Sequence, residues 1–179
     1  MLTLIKTNTF VTPSGKEVEV CIASPSQFIL QHQSELLPGW QTPIELVLFL
    51  QESNISFKGS SQEIVAEKDR LRANFLRFGA NLIFALQDRG YQSDLFDPRT
   101  GYPWLSQQGK MTLDDNAVVK ALLYYPAINY NNCSLLNHPT WGDRIYPATI
   151  VTLASQNIVE PISKQLLIDR GLTLATFEV

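Results

Sequence analysis

The chain has 179 residues, 45% of them apolar and 17% charged, and carries a net charge of -3. That length allows one domain with its own core, and the balance excludes a disordered chain. An acidic surface with no Lys/Arg cluster argues against nucleic acid, whose binding rests on phosphate neutralisation.

The longest apolar runs, 44–50 and 148–154, are too short to cross a bilayer. The N-terminal stretch MLTLIKTNTFVTPSGKE lacks the unbroken apolar core of a secretory leader. These features lead us to expect a cytoplasmic protein, in which Cys21 and Cys133 stay thiols. The Asn-x-Ser matches at Asn54 and Asn132 then carry no glycan. With no repeat, low-complexity run or linker, residues 1–179 are expected to form a single domain.

Residues 16–24, KEVEVCIAS, alternate apolar and charged side chains and predict a half-buried strand holding Cys21. Ser24 as N-cap and Pro25 in the first turn predict a helix to about Leu37, stopped by Pro38-Gly39. A buried strand is predicted over Ile44–Gln51. Ser60 with Glu63 reads as a capping box for a long helix with the stripe Ile64, Leu71, Phe75, Phe78, Leu82 and Leu86, ending at Gly90. Tyr91–Asp97 predicts a strand, Asp97-Pro98-Arg99-Thr100-Gly101 a turn, and Tyr102–Leu105 the second strand of a hairpin. Val118–Tyr125 and Tyr146–Ser155 read as two further strands, and Glu160–Arg170 as a helix before Gly171. The expected class is α+β, a single mainly antiparallel sheet with packed helices.

Most standard chemistry is missing. The chain has no glycine-rich phosphate loop and no G-x-S-x-G elbow, and two Cys with two His do not by themselves make a zinc site. Asp114-Asp115 reads as a solvated turn, since adjacent side chains point apart. His32 borders the stripe of the first helix and reads as a packed structural histidine, and Cys21 as a small buried hydrophobe. Cys133 lies in NNCSLLNHPTWGDR, a stretch rich in Asn, Pro and Gly that predicts a loop exposing the sulfur. A thiol becomes a nucleophile or metal ligand as thiolate, a form that a nearby Arg144 or protonated His138 favours. The residues alone leave a functional and an incidental Cys133 both open. Trp141-Gly142 reads as core packing plus a turn, with the floor of a ligand pocket as the alternative.

Three blocks, VEVCIASPSQF, ANLIFALQDRGYQSDLFDPRTG and CSLLNHPTWGDRIYPATIVT, occur in that order between about Val18 and Leu167. Together they resemble the methylmalonic aciduria and homocystinuria type D (CblD) family of cobalamin trafficking. The resemblance implies an α+β fold related to flavin nitroreductases but without flavin, and no enzymatic activity. It implies an adaptor that engages cobalamin (vitamin B12) held by a CblC-type processing chaperone and directs it to cobalamin-dependent enzymes. It further implies a cobalt ligand in the loop before His-x-x-Trp-Gly, which here matches Cys133; thiolate is a soft donor suited to such a metal. Animal members carry two adjacent cysteines, the first being the proposed ligand. Here that pair reads Asn132-Cys133, with Cys133 on the second position counted back from His138.

Two other classes stand beside this reading. One is a flavin- or thiol-dependent reductase on the same fold with a reactive Cys133, against which the lack of a basic phosphate-binding cluster counts. The other is a plain protein-interaction domain in which Cys133 is idle.

Overall fold

The computed structural model describes residues 5–176; residues 1–4, where the stretch read for a leader begins, and 177–179 lie outside them. In chain order the elements are β1 (Lys6–Val11), β2 (Glu17–Ala23), α1 (Gln27–Gln31), α2 (Gln33–Leu36), β3 (Glu45–Glu52) and α3 (Gln62–Gln87). There follow β4 (Ser93–Leu95), α4 (Asp115–Leu123), β5 (Ala127–Tyr130), β6 (Cys133–Leu136), β7 (Ile145–Thr152), α5 (Gln156–Asp169) and β8 (Thr173–Leu174).

Six strands make one sheet in the order β4-β7-β3-β2-β1-β8, every pairing antiparallel, and β5 with β6 makes a separate hairpin. Alternation along the central strands then divides the protein into layers. Val18, Val20 and Ile22 of β2, with Val47 and Phe49 of β3, pack beneath α3 and α5. The intervening Cys21 and Ala23, with Leu46, Leu48 and Leu50, face α1, α2, α4 and the loop of Trp141. The class is therefore α+β, as expected. Among the described residues no helix is long and apolar enough to cross a membrane.

Helix α3 follows its sequence closely. Ile64, Leu71, Phe75, Phe78, Leu82 and Leu86 are all buried, and Phe49 stacks on Phe78 at 4.5 Å. Its cap is Ser61 rather than Ser60: the Ser61 hydroxyl accepts from the Ile64 N–H at 3.2 Å, and its carbonyl accepts from Val65. With consecutive serines, the phase of the buried stripe decides which one caps.

Other expectations need correction. The helix read over 24–37 starts later, with Ser26 as cap, and breaks at His32 (φ -106°, ψ 12°) into two short pieces. The break turns Leu36 and Leu37 into the core. The strand read over 91–97 pairs only at Ser93–Leu95. Its partner over 102–105 shrinks to one bridge between Phe96 and Pro103. Trp104 still donates to the Leu95 carbonyl at 2.9 Å, but the Asp94 carboxylate accepts from the N–H groups of Leu105 and Ser106 at 3.0 and 2.7 Å and so takes the donors that would carry the strand on.

Val118–Tyr125 is not a strand but most of α4. Asp114 caps it by accepting from the N–H groups of Asn116 (2.9 Å) and Ala117 (3.2 Å), and Val118, Val119 and Leu122 go down into the core. The β-branched pair is satisfied by burial, which outweighs its modest helix cost. The strand read over 146–155 stops at Thr152 because Ser155 is the N-cap residue of α5, which begins four residues before the expected Glu160. β1 was not foreseen; of KTNTFV only Thr9 and Phe10 are buried, so its pattern is faint.

Candidate functional site

Asn131 and Asn132 both adopt left-handed backbone (φ 46° and 63°) between β5 and β6. Two successive left-handed residues form the tight turn whose twist matches that of paired strands, and Asn tolerates this region better than most residues. The stretch read as a loop is thus a hairpin, with Tyr130 paired directly to Cys133 at its tip. An Asn-Asn pair between alternating segments was the available signal. Cys133 is exposed, as expected of it.

The two thiols differ sharply. Cys21 is 1% exposed, and burial pushes its pKa up to about 12 against a 3.5 Å hydrogen bond from the Thr7 hydroxyl. It is locked as a neutral thiol, in keeping with the buried hydrophobe read from sequence.

The cations expected beside Cys133 are engaged elsewhere. Arg144 pairs with Glu52 at 3.4 Å. His138 is 3% exposed and stacks on Trp141 at 3.8 Å and 11°, with Tyr125 edge-on at 5.1 Å. Its Nδ1 accepts from the N–H groups of Thr140 (3.2 Å) and Trp141 (3.1 Å), which leaves its proton on Nε2. That atom lies 3.2 Å from Glu19 Oε1 without the alignment of a hydrogen bond. The Trp141 indole donates to Glu17 Oε2 at 2.7 Å. His138 and Gly142 also exchange backbone hydrogen bonds of 2.8 and 3.0 Å. The His-x-x-Trp-Gly segment is therefore a latch that fastens the chain after β6 to β2; of its two readings, core packing plus a turn is the one built. Lys120 reaches the hairpin, but bonds Ser134, which points to the face opposite Cys133.

Two further readings change. His32 is half-exposed, hydrogen-bonded to Glu35 at 3.1 Å and leaning on the exposed ring of Phe28, so it marks a surface joint and not a packed core site. Asp114-Asp115 is no solvated turn. Asp114 caps α4, while the carboxyl of Asp115 turns inward, accepts from Thr149 at 2.6 Å, and is raised to about pKa 7 by burial first and then by Asp114 and Asp97.

Beside Asp115 opens a cleft of about 630 Å³ that sequence reasoning missed. It exists because β4 covers only Ile150–Thr152 of β7 and leaves the other end of that strand without a neighbour on one side. Around this edge stand Lys68 and Arg72 of α3, the 98–101 turn, Asp115, Leu135 of the hairpin and Tyr146. Arg72 is held by Asp97 through two hydrogen bonds, which also holds the Asp97 carboxyl below its usual range. Arg99 pairs with Asp69. Gly101 closes the turn at φ 73°, where a Cβ would come within 2.5 Å of the Leu113 carbonyl. Burial and the neighbouring Asp115 hold the Tyr146 hydroxyl protonated. Among the described residues no three His, Cys, Asp or Glu side chains group as a metal site.

The fold and site define an α+β protein with one buried, inert thiol and one thiol presented on a hairpin beside a polar cleft. The family model of the methylmalonic aciduria and homocystinuria type D protein matches residues 6–165, and the chain belongs to that family. It is 24% identical over 106 residues to the cobalamin trafficking protein CblD of Gallus gallus, covering 59% of this chain and 35% of that one. The CblD proteins of Rattus norvegicus and Homo sapiens are each 24% identical over 95 residues, covering 53% of this chain and 32% of theirs. The matched stretch thus spans about a third of the length of these relatives.

Proposed function

We propose that residues 1–179 form a single CblD-like domain that acts in the cytoplasm as a non-catalytic adaptor in cobalamin trafficking. It engages cobalamin held by a CblC-type chaperone and passes it toward cobalamin-dependent enzymes, with the Cys133 thiolate as ligand to the cobalt. The fold is taken as nitroreductase-related and free of flavin. The observation that carries this reading is the placement of Cys133: exposed, beside a two-residue turn, at the tip of a hairpin outside the main sheet. A sulfur so placed can reach a metal carried by another protein, and soft thiolate suits a polarisable metal centre. One thiol would suffice for this, because the cobalt would arrive already held by its cofactor. The position is the second of the family's cysteine pair, with Asn132 of the turn on the first.

Optical titration tests this. Adding the protein to a CblC-type carrier loaded with cobalamin should shift the cobalamin absorption bands, and Cys133→Ser should abolish the shift while Cys21→Ser leaves it unchanged. An unshifted spectrum with wild type, or an equal shift with Cys133→Ser, removes the ligand role.

A further inference from the structure

Cys133 and Leu135 stand on the same face of β6, about 7 Å apart along the strand. Leu135 packs toward Phe57, Ile64, Leu71 and Tyr146 and lines the cleft at the open end of β7. Tyr130, paired with Cys133 and therefore on that same face, adds a 38%-exposed ring next to the sulfur. Thiol, aromatic ring and cleft thus form one continuous surface.

Of the cleft's charged groups, nearly all are already matched. Arg72 is held by Asp97 and Arg99 by Asp69, while Asp143 accepts from the Ser56 hydroxyl and the Phe57 N–H. Asp114 caps α4. Among the described residues, the Tyr146 hydroxyl and the second oxygen of Asp115 make no hydrogen bond, and the Lys68 ammonium rests 5.3 Å from the Phe57 ring centre without an ion-pair partner. The lining holds Lys68, Arg72 and Arg99 against Asp69, Asp114, Asp115 and Asp143, so it presents no surplus of positive charge for a phosphate. The compensated carboxylates likewise leave no strong field for a polycation. What the cleft offers is neutral hydrogen bonding between apolar walls of Phe57, Leu135 and Pro147. A carboxyl oxygen and a phenol hydroxyl in one lining present acceptor and donor, the complement of a primary carboxamide. A volume of about 630 Å³ lies in the range for small ligands, and it admits an edge of a macrocycle but not the whole.

We infer that this cleft recognises the primary carboxamide side chains at the rim of the corrin, seating that edge while Cys133 faces the metal. This inference rests on the cobalamin reading above and extends it from one sulfur to a surface. An ionised carboxylate at the same rim position has no N–H to donate to the free Asp115 oxygen, so Asp115 and Tyr146 together favour the amide.

The test uses the full chain and a CblC-type carrier loaded either with cobalamin or with a cobalamin in which a rim carboxamide has been hydrolysed to the acid. Binding is followed by calorimetry as well as by absorption. Tyr146→Phe, which keeps the ring and loses only the hydroxyl, and Lys68→Met should each weaken association with the cobalamin-loaded carrier by about three- to tenfold, the scale of one hydrogen bond. The spectrum at saturation should stay that of wild type, and thermal melting of both variants checks their folding. Wild type should also bind the carboxylate form less tightly than the amide form. Unchanged affinity in both variants, or equal affinity for the two corrinoids, overturns the inference. The two readings separate cleanly: loss of the spectral shift in Cys133→Ser with retained calorimetric binding speaks only to the sulfur, whereas weakened binding in Tyr146→Phe speaks only to the cleft.

Discussion

Thr149 of β7 donates a 2.6 Å hydrogen bond to Asp115 Oδ1, tying the first turn of α4 to the sheet. The bond joins the cleft to the core, and burial of the same carboxyl, which outweighs the lowering effect of the bond, sets a pH dependence. The folded protein keeps the Asp115 proton up to about pH 7, whereas the unfolded chain releases it near the ordinary 3.8. The stability this group contributes is whole below the unfolded value and is lost as pH rises through the folded one, with a slope of at most about 1.4 kcal/mol per pH unit. Asp115→Asn should remove that slope. Urea unfolding of both proteins at about pH 5 and about pH 8 should show the variant gaining on wild type as pH rises. A difference that does not change with pH contradicts an enclosed, protonated carboxyl.

The contrast between the two cysteines gives a second prediction. Native protein should take up a single equivalent of iodoacetamide, at Cys133, while Cys21, buried in the sheet and raised to about 12, reacts only after denaturation. Mass spectrometry of the labelled peptides reads this directly; labelling of Cys21 at the rate of Cys133 in native buffer contradicts the fold.

The latch around His138 should be costly to open. Trp141→Phe removes the indole donor and leaves the Glu17 carboxylate without its 2.7 Å partner. The expected loss is about 1–3 kcal/mol in urea unfolding. Labelling of Cys133 should remain fast in this variant, because its exposure comes from the hairpin turn and not from the latch. A variant as stable as wild type shows that the indole–carboxylate bond contributes little.

Gly101 should not tolerate a side chain. Ala at this position combines left-handed backbone with a contact of 2.5 Å to the Leu113 carbonyl, whereas Gly15 (φ 82°) has open space around its Cβ position. Gly101→Ala should therefore lower stability by about 1–3 kcal/mol, more than the roughly 1 kcal/mol expected of Gly15→Ala. Equal losses at the two sites show that the close approach to Leu113 is relieved at no cost.

Much of the frame can be read from residue order, and its failures have causes. α3 is legible because its stripe is long and buried along its whole length. α4 is not, because the apolar run at 118–125 has no strand-breaking residue, and the deciding event is Asp114 turning back to take two N–H groups. The strand read at 102–105 is cut short by Asp94, ten residues or more back in the chain, which takes the donors of Leu105 and Ser106. At the site, exposure of Cys133 follows from Asn, Pro and Gly around it. The true partners of His138 and Arg144 do not, since Glu19 and Glu52 arrive from β2 and β3, far away in the chain. The cleft was invisible for the same reason: Lys68, Asp115, Leu135 and Tyr146 meet only once the sheet order is known.

Cobalt K-edge X-ray absorption on the complex of this protein with a cobalamin-loaded CblC-type carrier tests the central claim most directly. The account predicts a sulfur scatterer in the cobalt shell with wild type and with Cys21→Ser, replaced by a nitrogen or oxygen scatterer with Cys133→Ser. A cobalt shell without sulfur in the wild-type complex, at protein concentrations that saturate binding, contradicts it.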